Sequence, residues 1–97
     1  MDKNITFSNC KSYEDIEATI LAALEYDELV DDRKGAEQWF KDAEMDGDVI
    51  SRDVVNTQVS IWNEEMNGEE LYRVRIYEHY IDPGSVDYVY SYEINAL

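Results

Sequence analysis

Ile16, Ile20, Leu21 and Leu24 recur at spacings of four, one and three, the stripe by which one side of an α-helix meets a core. Ala18, Ala22 and Ala23 support helicity between them. Ser12 followed three residues later by Asp15 resembles a capping box, and Glu14, Asp15 and Glu17 suit the positive end of a helix dipole. A first helix is therefore predicted to start near Tyr13 and to end in the acidic run Glu25 to Asp32. A second is predicted from about Asp32 or Arg33 to Met45, with Ala36, Trp39, Phe40 and Ala43 facing inward. Ahead of both, Asn4 to Phe7 alternates polar and apolar positions, which fits a short N-terminal edge strand or a tucked arm.

From Val54 the period shortens. Val55, Thr57, Val59 and Ile61 alternate with Val54, Asn56, Gln58 and Ser60, and Asn67-Gly68 is a strong hairpin signal. A two-residue turn there pairs Met66 with Glu69, Ile61 with Val74, Val59 with Ile76 and Val55 with Tyr80, and sets Trp62 beside Arg73 as a cation–π pair. Asp82-Pro83-Gly84-Ser85 marks a second turn. Pairing Tyr80 with Tyr88 then brings Ile76 to Tyr92, Val74 to Ile94 and Arg75 to Glu93, and keeps Ser91 and Glu93 out of the core. Tyr88, Tyr90 and Tyr92 read as packing residues of the core and the sheet margin. The expected architecture is α+β, one domain over residues 1–97, with two N-terminal helices on one face of a three-stranded antiparallel meander.

Charge changes the picture. The 97 residues carry 23 Asp and Glu against 8 Lys and Arg, a formal net charge of −15. Twelve aromatics and an apolar share of 44% still argue for a folded chain. So negative a body disfavours direct contact with nucleic acid or an anionic membrane and attracts a basic partner. The single cysteine, Cys10, has no internal disulfide partner, and no apolar run approaches the length of a membrane span, so the expected compartment is the cytoplasm.

The densest charge lies between Glu25 and Asp53, where eleven carboxylates stand against Arg33, Lys34, Lys41 and Arg52. Within it, Asp42 to Asp53 resembles an EF-hand calcium loop. Asp42, Glu44 and Asp46 stand at its first, third and fifth positions and Gly47 at the sixth. Asp48 adds a further carboxylate. The departures are Asp53 in place of the twelfth-position Glu, Ile50 at the ninth, and a strand where the exiting helix belongs. Catalytic signals are weaker: His79 has no nucleophile placed near it, Cys10 has only Lys11 beside it, and the Glu64/Glu65 and Glu69/Glu70 pairs flank an exposed hairpin tip. The chain is not expected to be an enzyme or to hold a cofactor.

Carboxylates at helix spacings of three and four lie about 5 to 6 Å apart, comparable to successive phosphates on a strand. Three acidic clusters fit this use: the helix junction with Glu25, Asp27, Glu28, Asp31 and Asp32; the turn with Asp42, Glu44, Asp46 and Asp48; and the hairpin tip with Glu64, Glu65, Glu69 and Glu70. In size, economy and acidity the chain is similar to phage-encoded anti-defence inhibitors, the anti-CRISPR and anti-restriction proteins that imitate DNA. That resemblance implies an acidic inhibitor which occupies the basic nucleic-acid-binding surface of a larger protein in the host cytoplasm. The other readings are a calcium-binding module and a plain assembly protein.

Overall fold

The computed structural model describes residues 5–42, 49–81 and 88–97. Ser12 caps the first helix, α1 (Tyr13–Ala23), by accepting from the Asp15 N–H, while the Asp15 carboxylate accepts from the Lys11 N–H. One of the orphan donors at the helix start is thus satisfied, and the residue before the cap is tied to the first turn. A single 3-10 turn over Tyr26–Glu28 follows, then α2 (Arg33–Asp42). Asp32 caps α2: its carboxylate accepts from Gly35 N–H and its carbonyl from Ala36 N–H. Three strands complete the chain, β1 (Ile50–Asn63), β2 (Gly68–Tyr80) and β3 (Tyr88–Ala96), in the antiparallel order β1-β2-β3. The expected α+β class and element order stand. Ile5–Phe7 forms no strand; Ile5 and Phe7 tuck against the core instead. Ala43, Met45 and the Asp82–Ser85 turn lie outside the described residues.

The helices do not share a face of the sheet. Ile16, Ile20 and Leu24 of α1 pack with Val54, Val59, Ile61, Val74, Ile76 and Tyr90. Ala36 and Phe40 of α2 pack with Val89 on the other side, joined by Val30, Val49 and Ile81. The chain changes sides at the margin of β3, where Leu29 forms a parallel bridge with Tyr90 and the Val30 N–H donates to the Tyr90 carbonyl at 2.9 Å. This second layer explains why Ser91 and His79 are buried and not outward-facing as the alternation implied. Trp39, expected inward, is 39% exposed and sits edge-on to Phe40.

The β2–β3 register is the expected one, including Tyr80 with Tyr88, Ile76 with Tyr92, Val74 with Ile94 and Arg75 with Glu93. The β1–β2 register is not. Asn63 pairs with Gly68, Ile61 with Glu70, Val59 with Tyr72 and Val55 with Ile76, a slip of four residues. A two-residue type I′ turn needs positive φ at both central positions, and only Asn67 (φ 48°) takes it. The Asn63 side chain instead accepts from Met66 N–H, and Asn67 N–H donates to the Glu64 carbonyl, so the turn spans four residues. A slip of four is even, so Val59 and Ile61 keep their inward face. Trp62 consequently meets Glu69 and not Arg73, and the cation–π contact is made by Arg75 over the Tyr77 ring.

A bulge between Asp53 and Val55 then exchanges the faces. Before it Ser51 and Asp53 lie on the α2 side of the sheet; after it Asn56, Gln58 and Ser60 do. Val54 is thereby buried against α1. Truncating Phe40, 2% exposed, removes the main apolar plug of the second layer. Phe40→Ala is expected to cost about 3 to 5 kcal/mol in urea unfolding. Trp39→Ala, on the solvent side, should cost far less, and equal losses would contradict this layer assignment.

Candidate functional site

Two polar features stand out, one buried and one on the surface. The buried one is His79, fully enclosed between α2 and the sheet. Its Nδ1 lies 2.7 Å from Ser51 Oγ and its Nε2 lies 2.6 Å from Ser91 Oγ. In a neutral imidazole one ring N–H donates to one serine and the other serine hydroxyl donates to the bare nitrogen, so every partner is satisfied. The ring also stacks on Tyr77. Burial, reinforced by the Arg33 charge and partly offset by Glu37, lowers its pKa from the usual value. Ser91 is buried with it and Ser51 partly so, which leaves no approach for a substrate. This triad is structural glue between β1, β2 and β3. His79 and Ser91 were hidden in the sequence because only the second helix layer encloses them.

The surface feature is the placement of the acids. Glu64, Glu65, Glu69 and Glu70 sit on or beside the turn that ends the sheet, whereas Glu25 and Glu28 lie at the opposite end beside Tyr88. The thirteen residues of β2 separate these ends by about 40 Å. Helix α1 runs between them. Glu14 shares a groove of about 750 Å³ with Glu64, Glu65 and Glu70, roofed by Tyr13, Trp62 and Tyr72. One turn along, Glu17 accepts from the Tyr92 hydroxyl at 3.2 Å. Glu25, Asp27, Glu28 and Asp31 then carry the acidic run around the margin of β3. Glu14, Asp15 and Glu17 were assigned only to the helix dipole by sequence; their position between two acidic ends was legible in no local pattern.

Cations gather elsewhere. Among the seven described Lys and Arg residues, Arg33, Lys34 and Lys41 belong to α2, and Arg73 and Arg75 lie on the same side of the sheet. Only Lys11 and Arg52 stand on the α1 side. Among the described residues the ion pairs of Lys and Arg engage Glu37, Glu78 and Asp53. Tyrosine hydroxyls hold Glu78 a second time and three further carboxylates: Glu70 by Tyr72, Glu93 by Tyr77, Glu78 by Tyr90 and Glu17 by Tyr92. The tyrosine pKa values rise accordingly, through the hydrogen bond to Glu70 for Tyr72, through burial first for Tyr77, Tyr90 and Tyr92, and through the Glu28 charge first for Tyr88.

Of the acids marked for partner binding, Glu25, Asp27, Asp31, Glu64, Glu65 and Glu69 are exposed and outside those ion pairs. Asp32 is also exposed but serves as the α2 cap, and Asp42 accepts from Gln38. Glu28 is half-buried near Tyr88, and Glu70 is held by Tyr72 and Asn63. Glu44, Asp46 and Asp48 lie outside the described residues. The Asp53 carboxylate, the would-be closing ligand of a calcium loop, is engaged by Arg75 at 2.7 Å. Cys10 lies near Thr19, sulfur to hydroxyl 3.5 Å. Among the described residues, no helix is long and apolar enough to cross a membrane.

His79 is the only histidine, and its folded pKa lies below the unfolded one. Its stabilising contribution is therefore complete above about pH 6.5 and is lost as pH falls from there through the lowered folded value. Thermal melts between neutral and mildly acidic pH should show wild type losing stability faster than His79→Gln, which is less stable at neutral pH but flatter. Parallel pH profiles would refute this account. No family model matches the chain, and neither the curated proteins nor the solved structures searched contain a match.

Proposed function

We propose that this chain is an acidic binding protein that occupies the basic, nucleic-acid-handling surface of a larger protein and blocks it by competition. The observation that carries this reading is the segregation of charge. Carboxylates follow the α1 side from Glu64 and Glu65 through Glu14 and Glu17 to Glu25 and Glu28, while five of seven described cations lie on the α2 side. Charge kept only for solubility has no reason to be sorted in this way. The run covers about 40 Å, a little more than one helical turn of duplex DNA, so a cleft that grips a phosphate backbone meets anions along a comparable length.

None of these groups acts chemically. Each contributes field, which speeds encounter with a cationic cleft and loses strength as salt screens it. The kinship in character with anti-CRISPR and anti-restriction inhibitors makes a nuclease or restriction complex of a phage host the natural partner class.

The test begins with proteins that the chain retains from a nuclease-treated bacterial extract. Duplex DNA added as competitor should displace them, and high salt should do the same. Single reversals such as Glu65→Lys should weaken retention by no more than about fivefold, the equivalent of about 1 kcal/mol. The combined reversal Glu25→Lys, Glu28→Lys, Asp31→Lys, which spares the Asp32 cap, should abolish it. Partners that stay bound in the presence of excess DNA would defeat this reading.

A further inference from the structure

Strand β1 forms one margin of the sheet, and a strand margin presents a row of N–H and C=O groups that can take another strand. Natural sheets guard such margins with charged residues. This one does not: Val54 to Asn63 is the longest stretch without a charged residue in a chain of which 32% is charged. Apart from the bulge at its start, the stretch also contains no Pro or Gly to interrupt it. Ile5 to Ser8 runs beside it across a groove of about 590 Å³ lined by residues 54–60. Among the described residues, no backbone hydrogen bond joins that arm to β1. Beyond the bulge, this margin carries no charge up to the hairpin turn.

We propose that this margin pairs with the same margin of a second copy, β1 antiparallel to β1 about a two-fold axis at Gln58, to give a continuous six-stranded sheet. The sequence is complementary to itself in that register. Val55 meets Ile61 of the second copy and Thr57 meets its Val59, extending the α1-side face; Asn56 meets its Ser60 on the other face. A basic foreign segment would find no carboxylate along Val54–Asn63 to reward it, whereas a neutral strand of this chain meets no repulsion there. The pairing is independent of the proposed inhibitory function and responds to salt in the opposite sense. Two bodies of net charge −15 repel, so screening strengthens their association and weakens docking on a basic partner.

Sedimentation velocity of the full chain from micromolar to millimolar concentration, at low and high salt, is the test. A rise from 11.4 kDa to twice that mass, favoured by high salt, is expected. Gln58 is exposed, and both Gln58→Lys and Gln58→Glu would place like charges opposite each other across the axis. Each should weaken the dimer by about fivefold with an unchanged circular dichroism spectrum. A monomer throughout, growth beyond the dimer, indifference to both Gln58 variants, or strand pairing only with a different protein would each overturn the proposal.

Discussion

The arrangement depends on a short passage at the margin of β3, where Leu29 and Val30 join the sheet by one parallel bridge and one hydrogen bond to Tyr90. Because the chain crosses there, α1 and α2 lie on opposite faces, and the upper parts of β2 and β3 are enclosed on both sides. A doubly covered strand end has no solvent side on which to discard a polar residue. His79 and Ser91 are therefore obliged to satisfy each other, and Ser51 is recruited from β1 to complete the set.

That crossing also explains what the sequence disclosed and what it concealed. Helix α1 was legible because its apolar stripe and its Ser12 cap agree on one answer. The β2–β3 register was legible because a slip by one would turn Ser91 and Glu93 toward the α1-side core in place of Tyr92 and Ile94. The β1–β2 register was not. Asn67-Gly68 favours a tight turn, but the Asn63 side chain captures the Met66 N–H first, and a slip of four residues leaves the facing pattern unchanged, so hydrophobicity could not arbitrate. The bulge at Val54 left no signature beyond two adjacent valines. Single-face alternation was the wrong premise for His79, since coverage by α2 is a tertiary fact that no strand pattern contains.

The acidic surface was legible in quantity but not in arrangement. Counting carboxylates picked out the junction and the hairpin tip, both present as exposed groups at opposite ends of the body. It did not distinguish Asp32, which serves the helix it precedes, or Asp53, which is bound to Arg75. Nor could it show that α1 lays Glu14 and Glu17 between the two ends. Those residues matter because helix and hairpin meet in one groove, a contact between positions roughly fifty apart in the chain.

The tyrosine contacts have a wider consequence. An arginine that fixes a carboxylate also cancels it; a phenol fixes the carboxylate and leaves its charge in place. With Glu17, Glu70, Glu78 and Glu93 each touched by a tyrosine hydroxyl, this fold restrains anions using neutral clamps whose raised pKa values keep them protonated well beyond physiological pH. Where no guanidinium also binds, as at Glu17 and Glu70, rigidity and undiminished electric potential coexist at the same atom, a combination that eight cations among 23 acids could never have supplied.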